Sequence, residues 1–188
     1  DTITHHTMVH ENIRKFLSGF RYDAHPMAMM AGTVGAMASF YHDSTDVTNP
    51  QHREISAHRL IAKMPTLAAY CFNHHMGRPL LYPDNSLTYV ENFTRLMFGV
   101  PAEPYIQKPK VVKALELIML LHADHEQNAS TSTVRLAGSS GANPFASIAG
   151  GISSLWGPAH GGANESVINM LDRILYSGET IEQTISRA

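Results

Sequence analysis

A chain of 188 residues has room for one domain with a sizeable core, which excludes both a disulfide-stapled peptide and a large multidomain assembly. Lys and Arg total 14 against 16 for Asp and Glu, and 44% of the residues are apolar, so a basic nucleic-acid arm, an acidic tail and intrinsic disorder are excluded as well. Charged residues make up only 16% where about 25% is ordinary, and the 12 His nearly match Lys plus Arg. A surface so poor in charge reads as partly committed to partners.

The apolar residues recur at helical spacing between Pro, Gly and Asn/Asp clusters, and no run alternates as a strand does, so the pattern predicts an all-α chain. A first helix is expected over Thr7 to Ser18, with Met8, Ile13, Phe16 and Leu17 toward the core and Gly19 as its stop. A second, Met27 to His42, is rich in Ala, Gly and Met. It lies in an uncharged stretch too short to span a bilayer, and reads as a buried helix. A third is expected from Gln51 to Lys63, a break at Pro65, then a fourth from Thr66 to His75. After the Pro83-Asp84-Asn85 loop, Leu87 to Phe98 carries Val90, Phe93, Leu96 and Met97 on one face. Pro109 to His122 is apolar nearly all round, which predicts a central helix. Ala137 to Ser154 holds 13 Ala, Gly or Ser in 18 residues, a composition that permits close helix contact. Its Gly138-Ser139-Ser140-Gly141 loop lacks the Gly-Lys-Ser/Thr of a phosphate loop and reads as a turn between two packed helices. A further helix begins near Ala163.

The lone Cys71 and the absence of a leader at the start fit a cytoplasmic protein, with neither membrane nor nucleic acid as a partner. The chain opens without Met and stops at Ser186-Arg187-Ala188 directly after a helical pattern, with no capping Gly or Pro. Both ends read as cut.

Two segments concentrate chemistry. His122-Ala123-Asp124-His125-Glu126-Gln127-Asn128 sets polar groups at the end of an apolar helix, where each would need a partner. Imidazole and carboxylate are zinc donors, which keeps a helical metal-dependent hydrolase open, although the two His stand at i and i+3 and no third ligand is evident. A helix C-terminus whose dipole favours His is the plain structural alternative. The second segment, Trp156-Gly157-Pro158-Ala159-His160-Gly161-Gly162-Ala163-Asn164-Glu165, fixes a His on a tight turn before a helix. The positive end of that helix disfavours imidazolium, so His160 would act as a neutral donor to a developing enolate.

Together, the run from His122 to Arg135 and the Gly157-Pro158-Ala159-His160-Gly161-Gly162 turn about 25 residues on resemble citrate synthase of the bacterial hexameric type. His6-Thr7-Met8-Val9-His10-Glu11 and Asn73-His74-His75-Met76-Gly77 extend the resemblance over the whole chain, as an N-terminal and central part of such an enzyme. The resemblance implies condensation of acetyl-CoA with oxaloacetate and water to citrate and CoA, in the tricarboxylic acid cycle, with no metal or other cofactor. 2-Methylcitrate synthase, acting on propionyl-CoA, is the alternative within the same fold.

By that resemblance His160 donates to the thioester carbonyl, His125 holds oxaloacetate, His122 supports it, and Asn128 and Ser130 orient the site. It also implies a homodimer or hexamer, and a division into residues 1–160 of a large helical domain and 161–188 beginning a small one. The catalytic Asp, the second catalytic His and the Arg clamp on oxaloacetate have no counterpart here, so the chain alone is expected to be inactive. His6, Tyr41, Arg59 and Lys63 match an inhibitory NADH site, although His5 stands where NADH-sensitive relatives tend to carry Arg.

Overall fold

The computed structural model describes residues 2–124, 126–178 and 180–187, and among these it shows ten α-helices and no strand. They are α1 (Thr2–His5), α2 (Glu11–Leu17), α3 (Pro26–Ala36), α4 (Pro50–His75), α5 (Tyr89–Phe98), α6 (Pro109–Ala123), α7 (Ala129–Ser139), α8 (Pro144–Leu155), α9 (Gly161–Ser177) and α10 (Ile181–Arg187). Most begin where the sequence supplies a cap. Asn49, Asn128 and Asn143 accept from amides in the first turns of α4, α7 and α8. Thr88 and Glu91 close a reciprocal capping box on α5. Pro follows the cap directly in α3, α4 and α8, where its missing N–H costs nothing.

The core lies where α2, α3, α4 and α8 meet, around the fully buried Ile13, Leu17, Met29, Val34, Met37, Leu67, Tyr70 and Phe145. α8 packs between α3 and α7. The small-residue composition permits this, as expected: a Cβ placed on Gly35 would only touch Ala149, at 3.6 Å, and one on Gly150 would touch Thr133, also at 3.6 Å. The turn expected between two close helices is the Ser140–Asn143 connection of α7 and α8. Cys71 is buried in this core, which pushes its thiol up to about 12 and leaves it unreactive at neutral pH.

Four expectations are corrected. The break at Pro65 does not occur: α4 runs unbroken through it for 26 residues. Pro65 cannot donate to the Ile61 carbonyl, but the Tyr89 hydroxyl of α5 does so at 3.0 Å. Burial of Pro65, Thr66 and Leu67 holds the rest of the turn in place. The first helix begins at Glu11 rather than Thr7, because the backbone of residues 6–8 bonds to α4 side chains instead of to itself. Met8 and Phe16 are accordingly 46% and 40% exposed rather than core. The second helix ends at Ala36 and tightens into a short 3₁₀ turn, Met37–Ser39, beyond which both Phe40 and Tyr41 amides bond the Met37 carbonyl.

The largest correction concerns α6. It buries no residue, and Leu117, Ile118, Leu120 and Leu121 are 48% to 70% exposed. Its apolarity does predict burial, but among the described residues α5 covers it only in part, leaving Val112, Leu115 and Met119 half-buried. His122, Asp124, Glu126, Gln127 and Asn128 therefore sit on the surface rather than in an interior.

Candidate active site

His160 stands at the N-cap position of α9, as the Gly-Pro-rich turn predicts. The turn is tied together by its own backbone: the amides of His160 and Gly162 both donate to the Gly157 carbonyl, at 3.0 and 3.3 Å. Trp156 caps the end of α8 through the Ile152 carbonyl at 3.1 Å. Gly161 is obligatory, because a Cβ there would collide with the Leu155 carbonyl.

The imidazole of His160 is held from α7. Ser130 Oγ lies 2.8 Å from His160 Nε2 and 2.9 Å from the Gly151 carbonyl of α8. A hydroxyl has one proton and the carbonyl can only accept. Either Ser130 donates to Gly151 and accepts from Nε2–H, or it donates to Nε2 and leaves the ring proton on Nδ1. The two differ in the rotation of the Ser130 O–H bond and in which ring nitrogen carries the proton; in both Nε2 is occupied, so the nitrogen left for a ligand is Nδ1.

Two sequence features make this bridge possible. Asn128 Oδ1 accepts from the Thr131 amide at 2.9 Å and starts α7, placing Ser130 in its first turn. Gly151 lets α8 approach, since a Cβ there would lie 2.6 Å from Val134 Cγ2. The sequence reading missed Gly151; a glycine pair inside a helix was its only signal.

The other residues expected at the site are not all brought to it. His122 bonds its own helix, with Nδ1 2.7 Å from the Ile118 carbonyl, and is exposed. His125 lies outside the described residues. Glu126 beside it adopts φ 60, the left-handed region that a β-carbon disfavours. Among the described residues no three His, Cys, Asp or Glu side chains gather as a metal site would require. A cavity of about 580 Å³ opens beside the turn, walled by His25, Met27 and Trp156 on one side and by Gly161, Gly162 and Glu165 of α9 on the other.

His6, Tyr41, Arg59 and Lys63 do come together, away from His160. Lys63 is 5% exposed and donates from Nζ to the carbonyls of His6 and Met8 at 2.7 and 2.5 Å. Burial, reinforced by the nearby Arg59 charge, lowers its pKa to about 8. Arg59 grips Asp43 through two bonds of 2.6 and 3.0 Å and donates to Ser44 Oγ at 2.7 Å. Those bonds hold the Asp43 carboxyl below the usual carboxylate range. Both cations face the Tyr41 ring, at 4.9 Å for Arg59 and 5.4 Å for Lys63. The His6 imidazole turns away, its Nδ1 2.7 Å from the Thr2 carbonyl. Lys63 and Arg59 are thus engaged by the chain itself, and Asp43, which the sequence reading missed, occupies the place an anion would take on Arg59.

No helix among the described residues is long and apolar enough to cross a membrane. The family model for the citrate synthase C-terminal domain matches residues 1–188. A crystal structure of citrate synthase from Pyrobaculum aerophilum superposes with a TM-score of 0.80 at 29% identity, over 91% of this chain and 44% of that one. The complex of carboxymethyl coenzyme A and oxaloacetate with citrate synthase from Thermoplasma acidophilum gives 0.80 at 25% identity, over 92% and 44%. The chain thus spans less than half the length of the structures it resembles. The match over all 188 residues, on an all-helical fold that sets a serine-held His at the mouth of α9, shows that this chain belongs to the citrate synthase family.

Proposed function

We propose that this chain forms part of an enzyme that condenses acetyl-CoA with oxaloacetate and water to give citrate and CoA, a step of the tricarboxylic acid cycle. The observation that carries the reading is the Ser130–His160 pair at 2.8 Å. Loss of a proton from the acetyl methyl group moves negative charge onto the thioester oxygen, and a fixed donor aimed at that oxygen stabilises the transition state more than the ground state. With Nε2 occupied by Ser130, the donor is Nδ1–H. A neutral ring carries its proton there only when the Ser130 hydroxyl points at Nε2 rather than at Gly151. Ser130 therefore selects the tautomer, Asn128 sets the helix start that places Ser130, and His125, with His122 in support, is assigned to oxaloacetate.

The base that takes the methyl proton, the His that polarises the ketone and the Arg residues that hold its carboxylates are assigned to no residue of this chain. Residues 1–160 are read as large domain and 161–188 as the beginning of the small one. The chain by itself is inactive on this reading, and the reaction draws on no cofactor beyond the CoA thioester. The uncovered apolar residues of α6 support self-association as a homodimer or hexamer. Inhibition by NADH at His6, Tyr41, Arg59 and Lys63 would require Arg59 to exchange Asp43 for phosphate.

The test is CoA release with oxaloacetate and either acetyl-CoA or propionyl-CoA, by the longer protein that contains this sequence and by its His160→Ala and Ser130→Ala variants. The expected result is a preference for acetyl-CoA, loss of at least about 100-fold in kcat for His160→Ala and a smaller loss for Ser130→Ala. A preference for propionyl-CoA would assign the enzyme to 2-methylcitrate formation, and unchanged kcat in His160→Ala would overturn the mechanism.

A further inference from the structure

We propose that His25, at the start of α3, is a positioning residue for the turn that carries His160, acting through the Trp156 ring. This rests on the assignment of His160 as catalytic. The His25 ring stacks on Trp156 with centroids 4.9 Å apart and planes 28° from parallel. Trp156 is the last anchor of α8 before the turn. The same imidazole uses Nδ1 to accept from the Met27 amide at 3.1 Å, capping α3. One ring thus joins the N-terminus of α3 by its edge and the catalytic turn by its face.

The choice of His is the informative point. For capping alone, Asn, Asp, Ser and Thr are preferred, and this chain uses Asn at α4, α7 and α8 and Thr at α5. Only α2 and α3 begin with a capping His among the helices described, and both rings are stacked: His10 on Phe40 at 5.2 Å and 22°, His25 on Trp156. The rings are placed for their faces. Where His10 stacks onto a residue of the core wall, His25 stacks onto the residue immediately before Gly157, whose carbonyl ties the turn. It also forms one wall of the cavity beside α9, so loss of the stack would free the turn toward open space.

His25→Asn separates the two roles, because Asn retains the cap and lacks the ring. In the intact enzyme this variant is expected to lower kcat about 2- to 10-fold, the worth of one aromatic stack, with KM for oxaloacetate little changed. Hydrogen exchange of residues 156–162 should quicken while that of residues 26–36 does not. Trp156→Ala should match His25→Asn, and the double variant should be no worse than either. Wild-type kcat and wild-type exchange in His25→Asn, or faster exchange confined to α3, would overturn the proposal, as would faster exchange of the turn at wild-type kcat. If His160→Ala leaves kcat unchanged, the assignment of His160 fails. The exchange arm still decides whether His25 holds the turn.

Discussion

Lys63→Met has a consequence whose size follows from the structure. The ammonium is buried against Tyr41 and near Arg59, and its pKa is lowered from 10.5 to about 8. The unfolded chain keeps this proton up to 10.5, whereas the folded chain gives it up near 8. Between those values the unfolded state therefore binds more protons, and stability rises with pH. From about pH 7 to about pH 9.5 the gain from this one group is about 2 kcal/mol. In Lys63→Met that gain vanishes. The variant also orphans the His6 and Met8 carbonyls, which costs about the same at every pH, so the informative quantity is the slope and not the offset. Burial of Cys71, which pulls stability the other way above its ordinary 9.0, is common to both proteins and cancels. Urea unfolding of wild type and variant across this range, followed by circular dichroism, measures the difference. Parallel stability-against-pH curves would refute the claim that a charged Lys63 is held at a cost.

Tyr89→Phe should destabilise by about 1 kcal/mol, because it strips the Ile61 carbonyl of the donor that stands in for Pro65; in a Pro65→Ala background, where residue 65 again donates, the same change should cost almost nothing by denaturant melts. Gly151→Ala should destabilise by about 1 to 3 kcal/mol, since a Cβ 2.6 Å from Val134 Cγ2 must part α7 from α8, and should also lower kcat by displacing Ser130 from His160. Leu120→Glu with Leu121→Glu, on side chains each 70% exposed, should leave thermal stability of the protomer nearly unchanged while lowering the sedimentation coefficient of the assembled protein.

What the sequence disclosed and what it withheld divide along a physical line. Local chemistry was legible: the asparagine caps, the Thr88–Glu91 box and the Gly-Pro turn before α9 each act within a few residues of themselves, and each appears where its pattern predicts. His160 could be placed at a helix start for the same reason. Ser130 was named as orienting the site from resemblance, but its link to the Gly151 carbonyl 21 residues on has no local trace. Pro65 misled because a helix breaker costs only what its freed carbonyl costs, and Tyr89, 24 positions away, removes most of that. Thr7 and Met8 suit the start of a helix by their side chains; the donors that hold this backbone out of one, Lys63 and Thr66, lie on α4.

α6 shows a different limit. A helix apolar on every side reports that its surface is to be removed from water, not which surface will do it. Burial within one protomer and burial between two require the same residues. The low charge of the chain carries the same double meaning: the exposed large apolar side chains concentrate on α6 and α9, which bury no residue at all, while α3, α4 and α8 bury Met29, Val34, Leu60, Leu67, Tyr70 and Phe145. The site lies along this boundary. Ser130 and Gly151 belong to the close-packed α7–α8 pair, whereas His160 opens α9. The 2.8 Å bond between Ser130 and His160 therefore joins the close-packed α7–α8 pair to the uncovered α9, and a displacement of α9 could not leave that bond, or the tautomer it selects, unchanged.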